Sequence, residues 1–142
     1  YRKIPSAFVE ENKTLLSSDI YRRCTYVTQE IERTQQAGEF LKASDMIAFG
    51  KLMFATHEGL SKLYDVSCIE LDFLVDEAKK HSDIIGSRLM GGGFGGCTIN
   101  IIKKGKTDTI VQSILDNYQQ KFGITTEAYY ANTENGTHKI EA

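Results

Sequence analysis

With 142 residues, 41% of them hydrophobic and 25% charged, the chain has the make-up of an ordinary globular domain, long enough to bury a core. Its 17 basic and 19 acidic side chains leave a net charge of −2 with no basic stripe, which argues against a nucleic-acid binder. No apolar run is long enough for a membrane span or a secretory leader, and the scattered Cys24, Cys68 and Cys97 fit reduced thiols in a cytoplasmic setting better than a disulfide or zinc framework.

The start at Tyr1, without an initiator Met, points to a processed or partial chain. Residues 1–17 read as a connecting segment in which Pro5 breaks any early helix. Ser18 and Asp19 open a first helix that runs to about Lys42, with Ile20, Cys24, Val27 and Ile31 on one face. Gly38 weakens it by ~1 kcal/mol relative to Ala without ending it. Ser44 or Asp45 caps a second helix with Met46, Phe49, Met53 and Leu60 on one stripe. The short link makes these two helices antiparallel neighbours.

Ser67-Cys68-Ile69-Glu70 reads as a capping box for a third helix, burying Ile69, Phe73 and Leu74 and turning Asp76 and Glu77 outward. Two strands follow, Ile84 to Met90 and Cys97 to Ile102, and then a turn at Lys103-Lys104-Gly105-Lys106. Thr107 caps a fourth helix with an apolar face from Ile110 to Phe122, and Gly123 ends it. A third strand is expected at Thr126 to Ala131. An Asn135-Gly136 hairpin turn and a short edge strand, Thr137 to Ile140, complete the chain. Helices on one side of an antiparallel sheet of about four strands make this an α+β single domain, residues 1–142.

Between the first two strands stands Met90-Gly91-Gly92-Gly93-Phe94-Gly95-Gly96-Cys97. Glycine loses much backbone entropy on ordering, so a run this dense is costly as filler. Gly91, Gly93 and Gly96 fit G-x-G-x-x-G, but a strand follows where a dinucleotide site needs a helix, and no Lys-Ser/Thr follows for a phosphate loop of the Walker type. Two readings of the loop stand: a wall against a bound nucleotide and sugar, or a tight hairpin whose glycines avoid clashes. Phe94 either covers a ligand or pins the loop to the core. Arg88 either reaches a phosphate or carboxylate, or fixes the strand end through an ion pair.

Cys97 reads as a small buried residue with nothing near it to activate the thiol. His57 reads as a helix-packing histidine, and with His81 and His138 it shares no metal-ligand spacing. Arg22, Arg23 and Arg33 read as helix-surface ion pairs or contacts to a neighbouring domain. Glu70 and Asp72 are accounted for by the helix start.

The stretch from Ser87 to Thr98 closely resembles the third conserved motif of the galactokinase, homoserine kinase, mevalonate kinase and phosphomevalonate kinase superfamily, and of the galactokinases within it. Three upstream stretches resemble galactokinases in the same order: Arg22-Arg23-Cys24 with Val27 and Glu30; Leu52-Met53 with His57, Leu60 and Tyr64; and Val66-Ser67-Cys68 with Glu70-Leu71-Asp72. The chain departs from the family pattern at Thr25-Tyr26, Ile69 and Leu89-Met90.

The resemblance implies a C-terminal domain of ferredoxin-like topology, in which Gly91, Gly92, Gly93, Phe94, Gly95 and Gly96 form a supporting wall that closes the cleft; Arg88 is a candidate support beside it. It implies that ATP and Mg²⁺ are bound mainly by an N-terminal domain whose two motifs do not occur in these residues. The chain's partner is then that N-terminal domain, and the 142 residues alone are inactive. Three functions follow: part of an enzyme phosphorylating galactose, or another sugar, at the 1-hydroxyl; a catalytically silent sensor of galactose and ATP; or a free-standing ligand-binding module.

Overall fold

The computed structural model describes residues 4–105, 107–133 and 136. Lys106, Asn135, His138 and the 137–140 strand expected from the sequence lie outside them.

Pro5 does not abolish the early helix. It sits at the N-cap of α1, Ser6–Glu11, where its missing N–H is no loss. Val9 is buried, and the Ser6 amide and hydroxyl donate to the Glu32 carboxylate at 2.8 and 3.0 Å, docking α1 on the next helix. That helix, α2, spans Ser18–Lys42, with Ser17 as its N-cap. The anticipated face is not the buried one: Ile20 is exposed, Cys24, Val27 and Ile31 are half-buried, and Tyr26 and Thr28 lie inside. Thr28 tolerates burial because its hydroxyl donates to the Cys24 carbonyl one turn back.

Asp45 caps α3, Met46–Gly59, by accepting from the Ala48 amide at 2.9 Å. The two helices are antiparallel. Thr56 donates to Glu30, the Tyr26 ring lies where a Cβ on Gly59 would be, and Arg22 reaches the Lys62 carbonyl. A single π-helical turn, Leu60–Tyr64, ends α3, and the chain reverses at Asp65 in the left-handed region.

The capping box is not formed. α4 begins at Ile69 with Cys68 as N-cap, so Ser67 lies one residue too early, and its hydroxyl donates to Asp72 instead. The buried face is Leu71, Val75, Glu77 and Ala78, while Ile69 is exposed. Glu77 thus points inward, satisfied by Lys80 and by Asn117 of the last helix.

Strands β1, Ile84–Met90, and β2, Cys97–Ile102, pair antiparallel with Met90 opposite Cys97. The register slips between Ile84 and Gly86, leaving Ile85 as an extra residue on β1. Helix α5, Thr107–Phe122, closes over α4 through Phe73, Tyr118 and Phe122, whose ring centroids lie 4.9–6.2 Å apart. Ala78, Ile84 and Ile110 form one buried cluster, flanked by Phe54, Ile102 and Ile114, while Leu71, Val75 and Leu89 are buried beside it in α4 and β1.

The described residues hold a two-stranded sheet in place of about four strands. Residues 126–131 form no strand, and Tyr129 and Tyr130 stand in solvent. A strand needs a partner for its backbone groups, and the described residues form none for this segment. The molecule is α+β, mostly helical, with the sheet laid on the helices.

Candidate functional site: the glycine hairpin

The hairpin from Gly91 to Gly96 leaves the body of the fold and is largely exposed. One backbone bond fixes its tip: the Phe94 amide donates to the Val66 carbonyl at 2.7 Å. This contact requires glycine at position 93. Its φ is +85°, and a Cβ there would lie 2.0 Å from the Val66 oxygen. A Cβ on Gly91, Gly92 or Gly95 would meet nothing within 4 Å. The hairpin is therefore tight against the body on one side and open on the other.

Phe94 does not pin the loop through its ring. The side chain is 77% exposed on a backbone at φ +59°, a region that phenylalanine rarely occupies. The main chain of Phe94 does the pinning. Arg88 forms no ion pair with a described carboxylate; its guanidinium donates to the Leu89 carbonyl at 3.0 Å. Its charge bears on Tyr26, whose hydroxyl is pushed up to about 12 by burial first and Glu30 next, with Arg33 and Arg88 opposing. Cys97 is exposed, not buried as expected, because it stands at the hairpin end of β2.

Behind the hairpin lies a cluster that the sequence does not announce. His57 is 4% exposed, yet both ring nitrogens are engaged. Nδ1 accepts from the Leu89 amide at 3.1 Å, and Nε2 lies 3.1 Å from Asp72 Oδ1. The Ser67 and Ser61 hydroxyls donate to the same carboxylate at 2.6 and 2.9 Å. Burial pushes the His57 pKa below its ordinary range; Asp72 acts against this and Lys79 with it. His57 and Asp72 lie on different helices, so no spacing in the sequence joins them.

The remaining candidates stay apart. Arg22 pairs with Asp19 at 2.7 Å and Arg33 with Glu30, both along α2, while Arg23 is exposed on the same helix and His81 follows α4. Among the described residues no group of three or more His, Cys, Asp or Glu side chains is placed to hold a metal ion. No described helix is long and apolar enough to cross a membrane.

The family model for the C-terminal part of the GHMP kinases matches residues 38–121, from the end of α2 through nearly all of α5. The chain belongs to the GHMP kinase C-terminal family. Within that family it is 37% identical over 131 residues to a galactokinase of Thermotoga maritima, covering 92% of this chain and 37% of the relative. It is 39% identical over 117 residues to a galactokinase of Bos taurus, covering 82% of this chain and 30% of that one.

Among solved structures, the galactokinase of Lactococcus lactis complexed with galactose superposes with a TM-score of 0.83 at 27% identity, over 87% of this chain and 32% of that one. The mevalonate kinase of L. major in complex with R-mevalonate shares the fold, with a TM-score of 0.55 at 24% identity over 84% of this chain and 35% of that one. The chain spans about a third of the length of these relatives.

Proposed function

We propose that this chain is the C-terminal domain of a galactokinase, an enzyme that moves the γ-phosphoryl group of ATP to the 1-hydroxyl of galactose. The observation that carries the reading is 37% identity to a galactokinase along 92% of the chain, with the glycine hairpin inside the matched family region. In this reading β1 and β2 belong to a larger antiparallel sheet of ferredoxin-like topology, in a cytoplasmic enzyme.

The hairpin's shape suits the role of a wall. Its open side carries no side chains at Gly91, Gly92 and Gly95, so a neighbouring domain and an anionic ligand can approach the main chain closely. Its closed side rests on Val66, which holds the wall in place. Arg88, half-buried at its base and unpaired among the described carboxylates, adds positive charge nearby. Magnesium, when bound with ATP, neutralises developing phosphoryl charge. No described residue of this chain is assigned to the ion, which with ATP belongs mainly to the N-terminal domain. This chain supplies a fixed surface that completes the cleft and excludes water. That N-terminal domain is its partner, and without it the chain is inactive.

The test is ATP consumption with galactose by the longer protein that carries this chain, beside the 142-residue chain alone. The reading expects turnover in the first and none in the second. Replacing Gly93 by Val in the longer protein is expected to lower kcat/KM at least tenfold. An enzyme indifferent to that change removes the hairpin from the site. Galactose binding without turnover identifies a sensor, and turnover of a different sugar a related kinase.

A further inference from the structure

The hairpin is held at two points, and both lead back to one carboxylate. At its base, the buried amide of Leu89 donates to His57 Nδ1, and His57 Nε2 rests on Asp72. At its tip, the Phe94 amide donates to the Val66 carbonyl, and the next residue, Ser67, donates to Asp72. Ser61, from the π-helical turn, occupies the other oxygen of Asp72.

A nitrogen that accepts a hydrogen bond carries no proton, so the Leu89 contact fixes the imidazole as the neutral tautomer with its proton on Nε2. That proton is the one Asp72 accepts. Leu89 is 1% exposed, so without His57 its amide would be a buried donor with no partner.

We infer that Asp72 and His57 are positioning residues for the glycine hairpin: Asp72 orients His57 toward the base and the Val66–Ser67 segment toward the tip, and together they set the hairpin's height above the body. The inference rests on the proposed function for its catalytic meaning, but not for its geometry. It also gives the hairpin a pH response. A proton on Nδ1 would turn the acceptor into a donor facing the Leu89 N–H, and the base would let go. The charged groups bearing on the ring are on α4: Asp72 in contact, with Lys79 and Asp76 further along. Burial and Lys79 disfavour that proton; Asp72 and Asp76 favour it.

The test is nuclear magnetic resonance on the 142-residue chain. In the unaltered chain at neutral pH, His57 Nδ1 is expected to show the shift of an unprotonated ring nitrogen and a coupling across the hydrogen bond to the Leu89 amide nitrogen. A protonated Nδ1, or no coupling, overturns the proposal, and this measurement needs no variant. In His57→Leu, amide exchange at Leu89 and Phe94 is expected to quicken at least tenfold relative to Ile114, which packs on the cluster around Ile84 at the other end of β1. His57→Asn, whose amide oxygen can take the place of Nδ1, is expected to restore protection at Leu89. Asp72→Ala is expected to loosen both amides together. Loss at Leu89 alone would break the link between tip and base and overturn the shared role.

The longer protein separates this from the proposed function. If the exchange results hold but His57→Leu leaves kcat and KM for sugar phosphorylation unchanged, the positioning stands and the hairpin's place in the kinase site falls.

Discussion

The Val66 carbonyl oxygen accepts from the Phe94 amide at 2.7 Å and would lie 2.0 Å from any Cβ on Gly93. The bond that fixes the hairpin thus requires a residue without a side chain next to it. Gly93→Ala is expected to destabilise the chain by about 2 kcal/mol, combining a left-handed backbone penalty with a backbone clash. Gly92→Ala, with open space around it, is expected to stay within about 0.5 kcal/mol. Urea unfolding of the two variants checks this; equal effects would mean that the Val66 contact does not hold the loop.

Gly50 and Gly38 are both helical glycines and should respond with opposite sign. A Cβ on Gly50 would lie 2.0 Å from the Ile85 carbonyl oxygen, the extra residue of β1, and backbone cannot swing aside. Overpacking of this kind costs about 3 kcal/mol, more than the ~1 kcal/mol that alanine contributes to a helix. Gly38 has nothing within 4 Å, so only the propensity remains. Gly50→Ala is expected to lower the thermal midpoint clearly, and Gly38→Ala to raise it.

Glu77 joins α4 to α5 through Asn117 at 2.9 Å and to Lys80 within α4. Lys80 is 65% exposed, so its bridge is screened and worth at most about 1 kcal/mol. Asn117→Ala removes a neutral partner from a buried carboxylate and is expected to cost about 2 kcal/mol. Lys80→Ala should cost less. A larger loss in Lys80→Ala, measured by the same unfolding method, would place the main support of Glu77 on the surface instead.

Acid should weaken the fold in two stages. Burial lowers the His57 pKa, so the unfolded chain binds a proton that the folded one refuses; stability falls as pH drops below the ordinary imidazole value of about 6.5. For Glu77, burial acts to raise the pKa, but the bonds from Lys80 and Asn117 prevail and lower it. Its contribution is present above the ordinary carboxylate value of about 4.3 and is lost below it. Unfolding free energy followed from neutral to acid pH checks the order. His57→Asn should flatten the first stage and leave the second.

Most of the helices were legible in the chain itself, because the signals for them are local. Asp45 caps α3, Gly123 lies just past α5, and the antiparallel pairing of α2 with α3 follows from a link too short for anything else. The glycine run announced an exposed hairpin between paired strands, since its composition permits little else. The early helix after Pro5 was lost to a rule about proline inside helices that does not apply at their start.

What the tertiary structure decided is every relation between elements distant in sequence. Which face of α2 is buried depends on where α1 and α3 pack against it. Glu77 turns inward because Asn117 is there to meet it, and Ser67 leaves its capping role because the helix starts one residue late and Asp72 takes its hydroxyl. The strand expected at 126–131 is absent, since an extended segment pairs only where a neighbouring strand takes its backbone groups. The tie from His57 to Leu89 spans 32 residues and has no periodic or spacing signature, since a hydrogen bond between a helix side chain and a strand amide depends on packing alone. Local chemistry sets which segments coil, turn or extend; the choice of which buried polar groups meet is made only when those segments close on one another.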